Sequence, residues 1–459
     1  MQSAMRPRCR LLAHLTRRAV MVPASGALIA CAQIGGASPT GSPAQSKTPV
    51  TIEYMTALNA RQEGNARELL IEPFEKAHAP HRVTLVPRES GFTKLATAVA
   101  AGTSPDVVWV FGPEVYLGKL VEDITSLVKR DRYNTGVFPK APFEASATWK
   151  GKIFGLPNQS GGNWPVLPYN RDIFRQAGVP EPPAKWGDAK WTAEAWLDAL
   201  QKTSRKGPEG KQVSIGLNAP PAGFFTQDWP GLWNAAWLSD DYKTVVCDSP
   251  SMIEATEYLV SLVTRHKVAA TANEMRDLLG SNNARDNFTG GKLGMRQTAG
   301  GGTFAIAQAV QEQNLNLAFA PLPVFKKLGA AQNVDSNAIP MGAKNKEVGW
   351  SYIRWAADTP NWAISRGNAP AREEHFEAWV KALYPGDLAT KMRVDVYRES
   401  LKYAGKLDPL GALPSYRQIS DEIINPALTR MYAGQASVAQ TLREIKGPIQ
   451  ALVPSSLPA

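Results

Sequence analysis

The residues best suited to chemistry in this chain are aromatic rings and amides rather than nucleophiles or metal ligands. Thirteen tryptophans occur among 459 residues. Trp109, Trp164, Trp229, Trp233 and Trp237 fall where loops leave predicted strands. A flat indole covers the apolar C–H face of a sugar with large area at low entropic cost, while amides and carboxylates address the hydroxyl rim. Trp164, Trp229 and Trp233 sit among Gly, Pro, Asn and Asp and read as binding residues, whereas Trp196, Trp350, Trp355, Trp362 and Trp379 have helical spacing and read as core. Other candidates follow from position. Asn59, Arg61 and Gln62 come just after the first predicted strand and Phe111 and Glu114 after the third, at the carboxyl edge where open α/β sheets bind ligands. Asn158 and Gln159 directly follow the stretch WKGKIFGLP, and Asn234 adjoins Trp233.

Enzymatic patterns find little support. The chain contains no His-Glu-x-x-His, no Gly-x-Ser-x-Gly and no phosphate loop. His14, His78, His81, His266 and His375 are scattered, and His78 with His81 reads as a solvated pair at a helix exit rather than a metal site. Asp240 and Asp241 are adjacent in a polar loop, so they do not divide into acid and nucleophile. Gly300-x-Gly302-x-x-Ala305 superficially fits a dinucleotide fingerprint, but the acidic residue due about 20 positions on is replaced by Ala320-Pro321-Leu322. Gly300 and Gly301 instead read as backbone donors at a helix start, suited to a hydroxyl or an anion. The expectation is a protein that is not an enzyme and uses neither cofactor nor metal.

The elements that must position these groups follow an α/β rhythm. Residues 50–54, 82–86 and 107–111 read as strands, the last an apolar run buried on both faces. Residues 67–77 and 92–101 read as the helices between them. A second series begins after residue 157, with helices over 171–177, 192–203, 249–265, 284–288 and 303–313, a strand over 315–321 and a helix over 347–357. From Phe376 onward the pattern is helical. The formal charge of +10 is unevenly placed. Arg6, Arg8, Arg10, Arg17 and Arg18 supply half of it, leaving 46 basic against 41 acidic side chains with no basic stripe, which argues against nucleic acid. Cys9, Cys31 and Cys247 are too far apart for a disulfide scaffold or a Cys-x-x-Cys site.

The N-terminus reads as an address. A basic stretch over 1–18 precedes twelve largely apolar residues, Ala19–Ala30, too few to span a bilayer. Leu28-Ile29-Ala30-Cys31 resembles the lipobox of bacterial lipoproteins, which implies lipidation at Cys31, and Thr16-Arg17-Arg18 is similar to a twin-arginine export signal. Residues 31–48 are rich in Gly, Ser, Pro and Ala and read as a flexible tether behind a signal peptide over 1–30.

From about residue 50 to 445 the order of segments resembles the extracellular solute-binding proteins of bacterial ABC importers, in particular the large sugar-binding, maltose-binding-protein-like family. AAGTSPDVVWVF (100–111) is similar to that family's helix–Gly–Pro–Asp–strand step, and WKGKIFGLP (149–157) to its aromatic–x–Gly–Lys crossing sequence. PYNRDIFRQAGVPEPPAKW (168–186) resembles its Tyr–Asn–Lys–Asp helix, and FTGGKLGM (288–295) its strand entry. LGKLVEDITSLV, FAPLP, SRGNAPAR and QASVAQTLREI have counterparts in the same order.

The resemblance implies an α/β fold of two discontinuous lobes joined by a hinge, the periplasmic binding protein type II arrangement, with ligand in the cleft between them. Lobe one would comprise 49–157 plus 324–375 and lobe two 158–323 plus 376–459, with hinges at 158–165 and 321–324. It implies an extracytoplasmic, lipid-anchored monomer that binds a di- or oligosaccharide and delivers it to ABC permease subunits, touching the membrane through its lipid anchor only. A glycerophosphodiester such as glycerophosphocholine is the alternative ligand. It also implies an aromatic platform at Tyr416, and ligand contacts at Gly300 and Gly301, where glycines replace bulkier residues of the family.

Overall fold

A computed structural model describes residues 48–88, 92–112, 114–160, 166–298, 300–329, 334–403 and 408–457. The expected leader and tether, with Cys31, lie outside these residues, as does Trp164. Residues 47–459 form one compact unit.

The chain opens with β1 (Thr51–Thr56), whose alternate residues Ile52 and Tyr54 are fully buried. Helix α1 (Ala60–Ala66) follows, started by a capping box in which Asn59 and Gln62 satisfy each other's backbone N–H groups. It continues through a wide turn, Arg67–Ile71, into Glu72–Ala77. Then come β2 (Arg82–Pro87), α2 (Thr93–Ala100) and β3 (Val107–Val110), the last buried throughout as its unbroken apolar run requires. After a short hairpin at 148–153 the chain enters β4 (Leu156–Ser160).

A second series builds β5 (Leu167–Asn170), α3 (Ala193–Thr203), β6 (Leu217–Asn218), α4 (Pro250–Thr264), β7 (Ala269–Ala270), α5 (Ala272–Leu279), α6 (Gly300–Gln313) and β8 (Leu317–Ala320). Thr192 and Ser249 cap α3 and α4 with their hydroxyls. The chain then returns through β9 (Val334–Ala338), α7 (Lys346–Ala357) and α8 (Asn361–Arg366) before a mostly helical ending.

The first sheet has the order β2-β1-β3-β9-β4. β1 runs parallel to β2 and β3, while β9 lies antiparallel between β3 and β4. The sequence offers no alternation over residues 334–338, and no strand is expected there. VDSNA is nonetheless buried along its whole length because it fills the gap between two other strands. In the second layer β6 pairs in parallel with β7, and β5 antiparallel with β8. Leu293–Met295 bridges the two pairs through Ile215 and Tyr169.

Two main apolar cores accompany these sheets. One gathers Ile52, Tyr54, Phe74, Val107, Trp109, Tyr352 and Trp362; the other gathers Tyr169, Trp196, Trp229, Trp233, Trp237, Phe319 and Trp379. Phe325 and Leu328 still pack against the second core, beyond Val324. Cys247 is buried in the second core, its thiol donating to the Leu442 carbonyl and pushed up to about 12 by burial. His81 is buried and His78 stacks on Phe74, so the two histidines are not the solvated pair expected. Among the described residues no helix is long and apolar enough to cross a membrane.

Gly216 leads into β6 directly beneath α3. A Cβ there would lie 2.6 Å from the carbonyl oxygen and 2.9 Å from the Cα of Leu200, both backbone atoms. Gly216→Ala is therefore expected to destabilise the protein by about 1–3 kcal/mol. The effect should read as a lower urea midpoint; an unchanged midpoint would mean that α3 shifts at no cost.

Candidate functional site

The carboxyl ends of β1, β2, β3 and β4 and the start of β9 all lie at one edge of the first sheet, as the pairings of Thr56 with Pro87, Ser336 with Val110, and Val334 with Ser160 require. Open α/β sheets bind ligands at this edge. Arg88, just past β2, is buried, and its guanidinium carbon sits 4.5 Å from the Phe92 ring, 4.8 Å from Trp109 and 4.9 Å from Phe111. From the end of α8, the Arg366 guanidinium lies 4.1 Å from the Trp109 ring and donates to the Ala57 carbonyl at 2.7 Å. Arg417 reaches Phe111 from the far end of the sequence, at 5.4 Å. Cations over aromatic faces are held by the ring quadrupole, most strongly where water is excluded.

Below this layer is a polar one. Gln159 donates its amide to Asp335, and Tyr54 donates its hydroxyl to Asn337 at 2.8 Å. Asp335 is fully enclosed: burial pushes its carboxyl up to about 6, against the Gln159 hydrogen bond and the attraction of Arg366 and Arg88. Burial likewise pulls Arg366 below its ordinary range, opposed by Asp335 and Tyr54. The register between β9 and β4 slips beside Asp335, leaving Asn158 as an extra residue opposite the ladder. Such bulges re-aim a side chain and are common beside binding sites. Both amide atoms of Asn158 are buried without a partner, as are Gln159 Oε1, Asn337 Nδ2, Ser336 Oγ and Asn368 Oδ1. A buried orphan polar atom costs about 1–3 kcal/mol, so a group of them marks a place where function outweighs stability.

The corresponding edge of the second layer holds Asn218, Thr271 and Gln297. The Asn218 side chain accepts from the Gln297 backbone N–H at 2.8 Å. A groove of about 620 Å³ opens there, lined by Pro220, Pro221, Thr271, Asn425 and Tyr432 among others. Among the described residues no group of three or more His, Cys, Asp or Glu is placed to hold a metal ion.

The structure sorts the candidates of the sequence. Phe111, Asn158 and Gln159 meet at the first edge. Gln62 reaches it through its amide, which donates to the Arg366 carbonyl at 3.2 Å. Asn59 is exposed and occupied with capping, and Arg61 is exposed on the same helix. Glu114 begins the short helix Glu114–Leu117, and Gly300 and Gly301 begin α6. Tyr416 is half-buried, its hydroxyl 2.7 Å from that of Thr226.

Trp229 and Trp233 require correction. Trp229 is 1% exposed and donates its indole N–H to the Ala255 carbonyl inside the second core. Trp233 is buried against Trp229, Tyr258 and Phe325. Neither presents a face to a ligand, and Asn234, beside them, is an exposed residue with positive φ. Arg88, Asp335 and Arg366 line the same edge and are absent from the candidate set, and Trp109 beside them was singled out only as a tryptophan at a strand exit. Position one residue beyond β2 is the signal that would have found Arg88.

The α/β arrangement is that of type II periplasmic binding proteins, as its superposition on solved substrate-binding proteins shows. An ABC substrate-binding protein of Listeria monocytogenes, solved in complex with cycloalternan, superposes with a TM-score of 0.71 at 20% identity, over 88% of this chain and 99% of its own. Residues 70–382 match the family described as bacterial extracellular solute-binding protein, and the chain belongs to that family of binding proteins. A chain of Escherichia coli K12, named provisionally as an ABC transporter periplasmic-binding protein, is 26% identical over 340 residues, 70% of each chain. A chain of Brucella abortus strain 2308, named provisionally as a binding protein, is 25% identical over 280 residues. That match spans 59% of this chain and 62% of the Brucella protein's length.

Asp335 titrates with a sign opposite to that of a salt-bridged acid. Its folded-state value, about 6, lies above the ordinary 3.8. The native state therefore holds the proton more tightly than the unfolded chain, and stability falls as pH rises from about 4 to about 6. Asp335→Asn should abolish this loss, stabilising the protein by up to about 2–3 kcal/mol at pH 7.5 and far less at pH 4. Parallel unfolding curves at the two pH values check this. A variant equally stabilised, or destabilised, at both would refute it.

Proposed function

We propose that this protein is the extracytoplasmic substrate-binding component of an ABC importer that captures a carbohydrate, a di- or oligosaccharide, and delivers it to the permease. The observation that carries this reading is the half-buried ring of Phe111 beside the orphaned buried atoms of Asn158, Gln159 and Asn368 at one sheet edge. Sugars have apolar C–H faces and a dense rim of hydroxyls, and this surface offers a complement to each. Family membership supports the transport role.

In this reading two lobes, 49–157 plus 324–375 and 158–323 plus 376–459, close over the ligand. The closed state gains population because it alone lets both lobes touch the sugar, and no bond is made or broken. The protein acts as a monomer, exported behind its basic leader and tethered through lipid on Cys31.

A thermal-shift panel of mono-, di- and oligosaccharides tests the ligand class. A sugar at about 100 times its dissociation constant should stabilise the fold by about 2.7 kcal/mol and remain chemically unchanged. Phe111→Ala should remove most of that gain, and silence across the panel would refute the carbohydrate reading. For the anchor, Cys31→Ser should abolish incorporation of labelled palmitate in cells; labelling that persists would exclude Cys31 as the site.

A further inference from the structure

The groove at the carboxyl edge of the second layer has no part in the site built at the first sheet. The parallel strands β6 and β7 both end in it, β6 at Pro220 and Pro221 and β7 at Thr271 and the start of α5. Carboxyl ends of parallel strands opening into one concavity are where α/β sheets hold ligands. Its volume, about 620 Å³, is that of a small-molecule site, roughly 300–1,000 Å³.

The lining suits an uncharged polyol. Pro220, Pro221 and Leu428 supply apolar surface, while Asn273, Asn425 and Thr429 supply amides and a hydroxyl. Glu274 is the charged side chain of the lining, and its carboxylate is already engaged by the Thr271 backbone N–H at 2.8 Å and hydroxyl at 2.9 Å. The walls are also fixed in advance. Tyr432 donates its hydroxyl to the Pro220 carbonyl at 3.0 Å, tying one wall to another, and a preformed site has little left to order when a ligand enters.

One element joins this groove to the first site. A continuous helical run, Tyr416–Gln418, Ile419–Ile424 and Asn425–Tyr432, starts where the Arg417 guanidinium lies 5.4 Å from the Phe111 ring and ends as a wall of the groove. At about 1.5 Å per residue, the stretch from Arg417 to Thr429 covers about 15–20 Å. That is several sugar rings, so a monosaccharide reaches one end and a longer chain reaches both. We infer that the groove is a distal subsite of the carbohydrate site, and that the ligand is an oligosaccharide longer than a disaccharide whose far end lies between α5 and the Asn425–Tyr432 helix. The inference rests on the capture role proposed above and selects the long sugars among those it allows.

Calorimetric titration of the full chain in mild detergent tests it, with malto-, cello- and manno-oligosaccharides each taken from monosaccharide to pentasaccharide. In at least one series the pentasaccharide should bind about tenfold or more tighter than the disaccharide, a difference of about 1.4 kcal/mol. Thr429→Arg, which sends a long side chain into the groove from an exposed position, should collapse that ratio. Asn273→Ala, also at an exposed position, should lower it, and Thr429→Ser should preserve it. A disaccharide bound as tightly as the pentasaccharide in every series that binds would overturn the inference and leave the capture role standing. A length dependence unaltered in both Thr429→Arg and Asn273→Ala would overturn the assignment to this groove. If no sugar of any series binds, the capture role and the inference fail together.

Discussion

The return of β9 into the first sheet, antiparallel between β3 and β4, is the constraint on which the rest of the molecule depends. Without it the sheet would end at β3, and β4 would have no neighbour. The return ties Tyr54 to Asn337 across 283 residues and Gln159 to Asp335 across 176. Closing so long a loop is less costly than its length suggests, because the entropy grows only with the logarithm of the number of residues. Most of the intervening chain also folds into the second core, which recovers its own ordering cost through burial. The insertion therefore does two things: it completes a hydrogen-bonded sheet, and it brings a polar strand to the point where α8 delivers Arg366.

The polar character of that strand is costly for stability. Asp335 is enclosed strongly enough to shift its ionisation, and five neighbouring side chains keep buried polar atoms without partners. An ordinary sheet interior of Val and Ile would be more stable. The second core contains the contrasting arrangement, in which Trp186, Trp191, Trp229 and Trp237 each donate the indole N–H to a backbone carbonyl. Those four indoles are satisfied and serve packing, whereas the buried indole nitrogens of Trp196, Trp233 and Trp379 in the same core have no partner. At the first sheet's edge Trp109 serves as a platform for two guanidiniums, and its own indole nitrogen has no partner.

Periodicity made the framework legible. The strands at 51–56, 82–87 and 107–110 and the helices from Thr192 and Ser249 stand close to where alternation and capping residues put them. What escaped was what tertiary pairing decides. VDSNA carries no apolar alternation, so its place in the sheet could not be read locally, and Asp335 went with it. Trp229 and Trp233 were misleading for the same reason: their neighbours in sequence are polar, but their neighbours in space are Tyr258 and Phe325. Position relative to a strand end was the better guide. It found Phe111, and applied one residue beyond β2 it points to Arg88, whereas Asn158 and Gln159 were found from their place just after WKGKIFGLP.

Asn158 and Gln159 of the proposed site also lie in the proposed hinge. Asn158 occupies the bulge, Ser160 donates its backbone N–H to the Ala369 carbonyl at 2.7 Å, and Asn368 stands next to that bond. In the proposed two-lobe arrangement, rotation of one lobe against the other would pass through these segments, since they are where the chain leaves the first sheet. Their unpartnered amides would then change surroundings as the lobes move, and a ligand hydrogen-bonded to them would contact the moving parts directly. A ligand shifts an equilibrium only by its difference in affinity for the two states. A site built into the crossing segments converts each hydrogen bond to the ligand into such a difference, so binding and closure need no intermediary to be coupled.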